Sequence, residues 1–280
     1  MESEQTYLQV ELLGQGPVTE VWKAFELDKG RHVALKIPRQ SEDGIDFARK
    51  LLAHEALVSQ SIQHRALPRI LDFETNGPEP FLCMKLLAGE NLESRKKSGI
   101  PWTLMELIDS VSSIAEGLEA LHRAGWVHGD VQPGNIFLER NGNTRLIDLG
   151  GAHLPNQHPY VETPMEAELV GSADYWAPEI CRSNGVGGPP ADLFALGILI
   201  FEILSGQRPW SSGSLRETIK RHHGDPAALL TSPWCKIPRR LKHLVESMLA
   251  RTPDARPTAG LVADELGVLA IRLMERGVAA

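Results

Sequence analysis

Three polar side chains in the middle of the chain, Asp130, Asn135 and Asp148, have the types and spacing of a metal site beside a proton acceptor. An Asn-Gly pair at 141–142 separates two short apolar runs, which predicts a β-hairpin. The open end of that hairpin would bring Asn135 and Asp148 side by side, with Asp130 just upstream. Mg²⁺ takes one or two side-chain oxygens and leaves its other positions to water and phosphate groups. The pattern therefore predicts a magnesium site, and a polar loop that caps the hairpin is the alternative.

A second candidate pair joins a strand and a helix in the first third of the sequence. Glu55 lies on the apolar stripe of a helix predicted over about 46–63. A carboxylate on a core-facing side is costly unless a cation meets it. Lys36 is the obvious partner, because alternation places it on the face of its strand opposite Val33 and Leu35. The alternative is that Glu55 reaches solvent and pairs with a surface base.

Gly14 and Gly16 lie between two predicted strands. Glycines at such a turn let backbone N–H groups approach a phosphate without obstruction by a β-carbon. The pattern alone is weak, because an ordinary hairpin turn has the same composition. It is not a dinucleotide fingerprint, since no helix follows, and it is not a P-loop, since no Gly-Lys-Ser/Thr sequence closes it.

The elements that would position these residues change in kind near residue 89. The first eighty-odd residues are mostly strand with one helix, and we expect a hinge at about 85–89. Beyond it, Thr103 and Glu106 form a capping box that begins a helix. The run 193–204 is apolar almost all round, which is typical of a helix buried inside a lobe. The pattern predicts a small sheet-rich lobe followed by a larger helical one.

Composition restricts the class of protein. The 280 residues are 42% hydrophobic and 23% charged, as in folded globular chains. A net charge of −7 argues against nucleic acid as a partner, because such binding needs an excess of Lys and Arg. The three cysteines form no CxxC pair, no signal peptide is visible, and the longest apolar run is shorter than the roughly 20 residues of a membrane span. We therefore expect a soluble, cytoplasmic protein without a membrane span.

In their order along the chain, these features resemble the signature of the eukaryotic-type (Hanks-type) protein kinases, and among them the serine/threonine kinases. Three later segments strengthen the resemblance, which covers about 7–269. The segment 171–179 resembles the end of a kinase activation loop, and 192–197 resembles the start of the buried central helix. Arg256 resembles the arginine that pairs with the glutamate matched here by Glu179.

The resemblance implies an α+β, bilobal protein kinase-like fold. A small antiparallel β-sheet with one key helix would form an N-terminal lobe, 1–87, and a larger, mainly α-helical C-terminal lobe would occupy 88–280. It also implies ATP-dependent transfer of the γ-phosphoryl group to Ser/Thr hydroxyls of protein substrates, with autophosphorylation as one form of it. ATP and Mg²⁺ would be required, with Mn²⁺ as the alternative metal.

The resemblance also assigns roles residue by residue. The nucleotide-binding set comprises the glycines over the phosphates, the residues around the adenine and the lysine at the α- and β-phosphates: Gly14, Gly16, Val21, Ala34, Lys36, Met84, Lys85, Leu87 and Phe137. The catalytic set comprises Asp130, Lys36, Glu55 and Gln132. Asp130 would orient and deprotonate the attacking hydroxyl, and Glu55 would hold Lys36. Asn135 and Asp148 would hold the metal.

Gln132 and Ser59 depart from the pattern of the family. Gln132 stands where the serine/threonine kinases usually have a lysine beside the γ-phosphate. Loss of that cation would slow phosphoryl transfer about 10²–10³-fold. It also weakens the inference that the acceptor hydroxyl belongs to Ser or Thr rather than to Tyr. Ser59 puts a hydroxyl where the family packs an apolar residue, which predicts that the helix around Glu55 is loosely docked.

Gly129 replaces the arginine that, in the family, binds a phosphorylated activation loop. We therefore expect activity that does not require phosphorylation of Thr163 or Ser172. A Thr163→Ala protein should keep its rate of phosphoryl transfer in a steady-state assay, and a near-complete loss of that rate would contradict the expectation.

Two other functions stay open on the sequence. Gln132 is compatible with a pseudokinase that binds nucleotide or partners without turnover, although the five central polar residues of the motif are all present. A kinase-like small-molecule phosphotransferase is the other, because 128–135 also resembles aminoglycoside-type kinases. The segment 177–179 together with Arg256 argues against it, since those features build a shelf for protein substrates.

Overall fold

Alternation of apolar and polar residues in the first part of the chain produces an antiparallel sheet of five strands with one helix. The computed structural model describes residues 6–39, 45–155, 157, 173–182, 187–210 and 227–275. They divide into a first unit, drawn from 1–63, 67–88 and 148–150, and a second unit that holds the rest. The elements of the first unit are β1 (Tyr7–Gln15), β2 (Thr19–Glu26), β3 (Arg31–Pro38), α1 (Ile45–Ser61), β4 (Ile70–Glu74) and β5 (Phe81–Lys85). The predicted lobe boundary after residue 87 stays a prediction.

Strand β3 carries apolar core residues on one face and Lys36 on the other. The strand order is β1-β2-β3-β5-β4, so β3 is the central strand. Val33 and Leu35 belong to a buried hydrophobic cluster on one face. Lys36 lies on the other face, and Val21 of β2 and Leu82 of β5 are its partners across the sheet. The predicted alternation in this strand is therefore confirmed.

Helix α1 begins and ends close to the predicted limits. Its predicted apolar stripe comprises Phe47, Leu51, Val58 and Ile62. Val58 and Ile62 are buried as predicted, whereas Phe47 and Leu51 are only half-buried. Near the start of the helix the adjacent residues Ala48 and Leu52 are buried instead. Leu52 and Ala56 pack against β5. Glu55 lies on the buried face, as predicted, because it is three residues from Leu52 on a helix with 3.6 residues per turn.

Ser59 of α1 is buried, and its hydroxyl has no hydrogen-bond partner within the described part of the chain. A buried polar group without a partner costs about 1–3 kcal/mol. We therefore expect Ser59→Ala to raise the free energy of unfolding by about 1 kcal/mol, measured by denaturant titration. Ser61→Ala is the matched control, because the Ser61 hydroxyl donates to the carbonyl of Val58 and its removal should not stabilise. A destabilised Ser59→Ala protein would contradict this prediction.

The second unit is mainly helical. Its small antiparallel sheet has the order β6-β7-β8. Its described elements are β6 (Gly89–Asn91), α2 (Leu92–Ser98), α3 (Leu104–Arg123), β7 (Ile136–Glu139), β8 (Thr144–Leu146), α4 (Pro178–Arg182), α5 (Pro189–Ser205), α6 (Arg239–Met248) and α7 (Ala259–Glu275), with 3₁₀ turns at Pro133–Asn135, Ala173–Tyr175 and Pro253–Ala255.

Local signals in the sequence account for three of these elements. The capping box is present at the start of α3: the Glu106 N–H donates to the Thr103 hydroxyl at 3.1 Å, and the Thr103 N–H donates to the Glu106 carboxylate at 2.8 Å. The predicted hairpin is present as β7 and β8, and Gly142 at its turn has φ of 88°. Only glycine adopts that conformation without strain. Both predictions are confirmed.

Helix α5 is the buried centre of the second unit, as its apolar sequence predicts. Every residue from Ala191 to Glu202 is buried. None of the helices in the described residues is long and apolar enough to cross a membrane. The predicted α+β class, with a sheet-rich first part and a mainly helical second part, is confirmed.

Candidate active site

In the first unit, one lysine lies between two carboxylates. The ammonium of Lys36 is 2.7 Å from Oε2 of Glu55 and 2.9 Å from Oδ1 of Asp148. The predicted contact between Lys36 and Glu55 is thus present. The side chain of Glu55 is 1% exposed and that of Asp148 is 46% exposed. Glu55 therefore holds the lysine from the interior, while the carboxylate of Asp148 remains accessible to a ligand.

Burial and charge act in opposite directions on this cluster. Burial alone would lower the pKa of Lys36, but the carboxylates of Asp148 and Glu55 raise that pKa above its ordinary value. Burial raises the pKa of Glu55, and the ammonium of Lys36 opposes that rise. The lysine is consequently a permanent cation, and the negative charge of Glu55 depends on it.

The backbone at Asp148 is strained in a way that aims its carboxylate. Asp148 is the one non-glycine residue with positive φ, 65°, among the described residues. That left-handed conformation costs about 1–2 kcal/mol. The N–H of Gly150 donates to Oδ1 of Asp148 at 3.2 Å, and the N–H of Leu149 donates to Glu55 at 3.4 Å. Such strain clusters at functional sites, because surrounding contacts must hold it.

The second unit holds the other predicted polar residues in one short loop. Nε2 of Gln132 donates to both carboxylate oxygens of Asp130, at 2.9 and 2.8 Å. Nδ2 of Asn135 donates to Oδ2 of Asp130 at 2.6 Å and to its backbone carbonyl at 2.9 Å. Two amide side chains therefore orient the Asp130 carboxylate. Whether Asn135 and Asp148 share one metal ion stays a prediction.

The loop that carries Asp130 is anchored to the buried helix α5 by Asp192. One carboxylate oxygen of Asp192 accepts from the N–H of His128 and the other from the N–H of Gly129, each at 2.9 Å, and Nε2 of His122 lies 2.9 Å from the first. Burial would raise the pKa of Asp192, but the hydrogen bonds with His122 and with the N–H of Gly129 lower it. The aspartate is therefore ionised in the folded protein.

His122 and the anchoring role of Asp192 were missed by the sequence analysis, which took Asp192 only as the start of a helix. The two side chains are 70 residues apart. No local pattern connects positions that far apart, although a charged residue within an apolar run was a usable signal.

His128 connects the loop to the residue before Asp148. Its Nδ1 accepts the N–H of Asp130 at 3.2 Å, and its Nε2 lies 3.3 Å from the carbonyl oxygen of Ile147. Because a carbonyl can only accept, the hydrogen bonds assign the proton to Nε2. His128 is fully buried, so this neutral ring fixes the loop from within.

Three residues predicted to surround a nucleotide lie on the Lys36 face of the sheet. Ala34 precedes Lys36 by two positions, Met84 pairs with Ala34, and Val21 pairs with Lys36. Directly paired residues share a face, so the sheet presents these four side chains together. Their role in binding nucleotide stays a prediction.

The remaining predicted nucleotide residues are distributed over the two units. The Gly16 N–H donates to the carbonyl of Thr19 at 2.8 Å, which closes a tight turn, and no atom lies within 4 Å of a β-carbon built on Gly14. The Lys85 N–H donates to the carbonyl of Arg69 at 2.9 Å, so that N–H is not available to a base. Leu87 is half-buried in the first unit, and Phe137 is half-buried on β7 of the second.

The pairing of Arg256 with Glu179 is confirmed. The guanidinium of Arg256 donates twice to the Glu179 carboxylate, at 2.6 and 2.8 Å. Nearby, the Tyr175 hydroxyl donates to Glu202 at 2.8 Å, and Lys96 pairs with the same carboxylate at 2.8 Å. The segment 173–182 is thus tied to the core of the second unit.

Thr163 and Ser172, whose phosphorylation we expect to be dispensable, lie outside the described residues.

Comparisons with known proteins agree with this geometry. The family model for the protein kinase domain matches residues 7–265. The chain is 29% identical over 256 residues to serine/threonine-protein kinase Pkn1 of Myxococcus xanthus, covering 88% of this chain and 36% of that protein. It is 28% identical over 255 residues to serine/threonine-protein kinase PknA of Mycobacterium tuberculosis, covering 89% and 57%. It is 30% identical over 280 residues to probable serine/threonine-protein kinase pknA2 of Bifidobacterium longum, covering 96% and 36%.

The chain therefore spans between about a third and just over half of the length of these relatives. The matched region contains the lysine cluster, the anchored loop and the Glu179–Arg256 pair. The resemblance to the serine/threonine kinases is confirmed, and the chain belongs to the protein kinase domain family.

Proposed function

We propose that this domain is an ATP-dependent protein kinase that transfers the γ-phosphoryl group to Ser/Thr hydroxyls of protein substrates and of its own chain. The observation that carries the proposal is the position of Lys36 between the buried Glu55 and the half-exposed Asp148. Protein kinases use ATP and a divalent metal ion, and the relatives are named as serine/threonine kinases.

The lysine supplies the fixed positive charge. Because Glu55 is buried and lies 2.7 Å from it, the ammonium of Lys36 keeps its position and its proton. A preorganised cation stabilises phosphate charge without reorganisation during the reaction. In the proposed function Lys36 contacts the α- and β-phosphates, while the glycine turn at 14–16 covers the phosphates.

Asp130 is the proposed proton acceptor. The substrate hydroxyl oxygen forms a bond to the γ-phosphorus, the bond from that phosphorus to the bridging oxygen breaks, and ADP leaves. The hydroxyl proton passes to the carboxylate of Asp130. Gln132 and Asn135 orient that carboxylate through their amide groups.

Asn135 and Asp148 suit a divalent cation. The side-chain nitrogen of Asn135 donates to Asp130, which leaves the side-chain oxygen Oδ1 without a hydrogen bond from the described residues. The carboxylate of Asp148 is 46% exposed. No cluster of three or more His, Cys, Asp or Glu among the described residues could hold a metal alone, so phosphate oxygens and water would complete the shell. When bound, Mg²⁺ or Mn²⁺ would neutralise charge on the phosphates; we propose Mg²⁺ as the usual ion.

Protein substrates, absence of nucleic acid as a partner and a cytoplasmic location complete the proposal. The ion pair between Glu179 and Arg256 supports a protein substrate, because it holds the segment after the activation loop in place. The net charge of −7 disfavours nucleic acid. The cytoplasmic location rests on the three widely spaced cysteines.

A transfer assay tests the function. Purified protein, γ-labelled ATP and a generic protein substrate are incubated with Mg²⁺, with Mn²⁺ or with a chelator, and the labelled amino acids are identified after hydrolysis. The expected result is metal-dependent label on Ser and Thr that Asp130→Asn abolishes. ATP binding without transfer would favour a pseudokinase, and transfer only to a small metabolite would favour a small-molecule phosphotransferase. Label confined to Tyr would contradict the Ser/Thr assignment.

Gln132 offers a gain-of-function test. A lysine at this position would keep a donor near Asp130 and add a cation close to the transferred group. We expect Gln132→Lys to raise kcat about 10²-fold, measured at saturating ATP. Gln132→Met is the control of similar length without donor or charge, and its kcat should fall. A Gln132→Lys protein no faster than the wild type would contradict the assigned position of this side chain.

A further inference from the structure

Gly129, the residue before the proposed proton acceptor, has no room for a side chain. Its φ is 77°, which favours glycine. A β-carbon built on it would lie 2.8 Å from Cε1 and 2.9 Å from Nδ1 of His153, and 3.1 Å from the carbonyl oxygen of Gly151. Real β-carbons essentially never lie within 3 Å of a non-bonded heavy atom. The imidazole of His153 therefore occupies the place that a side chain at 129 would take.

His153 is itself held rigidly. Its N–H donates to the carbonyl of Val127 at 2.9 Å, and its carbonyl accepts the N–H of Val127 at 2.8 Å. This isolated bridge ties the backbone of His153 to Val127, which lies just before the loop. Nδ1 of the ring lies 3.2 Å from the Gly151 carbonyl oxygen. Since that oxygen can only accept, the proton belongs on Nδ1.

The environment of the other ring nitrogen, Nε2, indicates that this side chain serves to pack against its neighbours. His153 is 4% exposed, and its Nε2 has no hydrogen-bond partner among the described residues. A buried nitrogen without a partner is costly. We attribute the presence of this ring, despite that cost, to its shape, because it fits closely against Gly129.

We propose that His153 is a positioning residue for phosphoryl transfer: its ring packs on Gly129 and, together with Asp192, holds the loop so that Asp130 keeps its place. Asp192 binds the N–H of Gly129, and His153 covers the α-carbon of the same residue. Gly151 also packs against the loop, because a β-carbon built on it would lie 3.7 Å from Cβ of Asp130. The inference rests on the proposed function. It explains how the loop is ordered although Gly129 offers no side chain to bind a phosphate.

Kinetics of two variants test the inference. A small misplacement of a reacting group can cost about 10²-fold in rate. We expect His153→Ala to lower kcat about 10–100-fold while the KM for ATP changes by less than about threefold, because Lys36 is untouched. His153→Phe keeps a planar ring at this position, although it loses the Nδ1–H donor to Gly151, and should retain kcat within about threefold of the wild type. His64→Ala, which removes a half-buried ring elsewhere in the second unit, should leave kcat within about twofold.

A thermal double-mutant cycle gives a readout that does not depend on activity. Gly129→Ala is measured in the wild-type and in the His153→Ala backgrounds, so the strain of the backbone is common to both. We expect the fall in Tm caused by Gly129→Ala to be about 2–4 °C larger when His153 is present.

Each outcome decides one point. Two results with an active wild type would overturn the inference and leave the proposed function standing. One is a kcat of His153→Ala within about twofold of the wild type. The other is a fall in kcat for His153→Phe as large as that for His153→Ala. Additive Tm shifts would overturn the packing of His153 on Gly129. An inactive wild type would overturn the proposed function and the kinetic part of the inference with it.

Discussion

Asp130→Asn is expected to lower kcat by about 10²–10⁴-fold while ATP still binds. An amide cannot accept the proton of the substrate hydroxyl. The two neighbouring amides add a second effect: Gln132 donates to both oxygens of Asp130, and Asn135 donates to one of them. In the variant one oxygen becomes an NH₂ group, which would face a donor at 2.8 or 2.9 Å. The variant therefore loses both the proton acceptor and its orientation.

The measurement separates catalysis from binding. The kcat is determined with saturating ATP and protein substrate, and the Kd for ATP is determined by titration in the presence of Mg²⁺. Asp109→Asn, an exposed aspartate on α3, is the matched control and should keep kcat within about twofold. Retention of more than about a tenth of the wild-type kcat by Asp130→Asn would rule out its role as the proton acceptor.

Patterns confined to one element were sufficient to predict much of the fold. Alternation in β3 placed Lys36 opposite the core, and the helical period placed Glu55 on the buried face of α1. The capping box at Thr103 and the Asn-Gly turn before β8 gave the start of a helix and a hairpin. In each case the physical cause lies within a few residues, so the sequence contains it.

Contacts that depend on distant segments could not be predicted in this way. The bond of His122 to Asp192 and the packing of His153 on Gly129 require knowledge of how separate elements pack. Strand β4 was also missed, because it is a half-exposed edge strand without clear alternation. The positive φ of Asp148 could not be predicted from the residue type, because aspartate adopts left-handed backbone more often than most non-glycine residues but still in a minority of cases. These features surround the site, where contacts override local preference.

The charge balance of the lysine cluster leads to the second large effect. Lys36→Met should lower kcat about 10²–10³-fold, because the preorganised cation for the phosphates is lost. It also leaves Glu55 buried with only the N–H of Leu149, at 3.4 Å, as a partner in the described chain. Breaking a buried ion pair costs about 3–5 kcal/mol if the remaining charge persists. Melting temperature and kcat should therefore both fall, whereas Lys50→Met, an exposed lysine on α1, should change neither.

The sign of the pH dependence distinguishes this mechanism from a general packing defect. Burial raises the pKa of Glu55, and removal of Lys36 removes the charge that opposes that rise. A carboxyl whose pKa is higher in the folded than in the unfolded protein stabilises at low pH, and that stability is lost as the pH rises through the folded pKa. The Tm of Lys36→Met should therefore recover, relative to the wild type, as the pH falls through the raised folded pKa of Glu55 toward its unfolded value of about 4.3. Adding Glu55→Gln should restore the Tm at high pH and remove the pH dependence without restoring kcat, because the amide replaces the buried charge but not the cation. If the double variant were as unstable and as pH-dependent as Lys36→Met, Glu55 could not be the group left uncompensated.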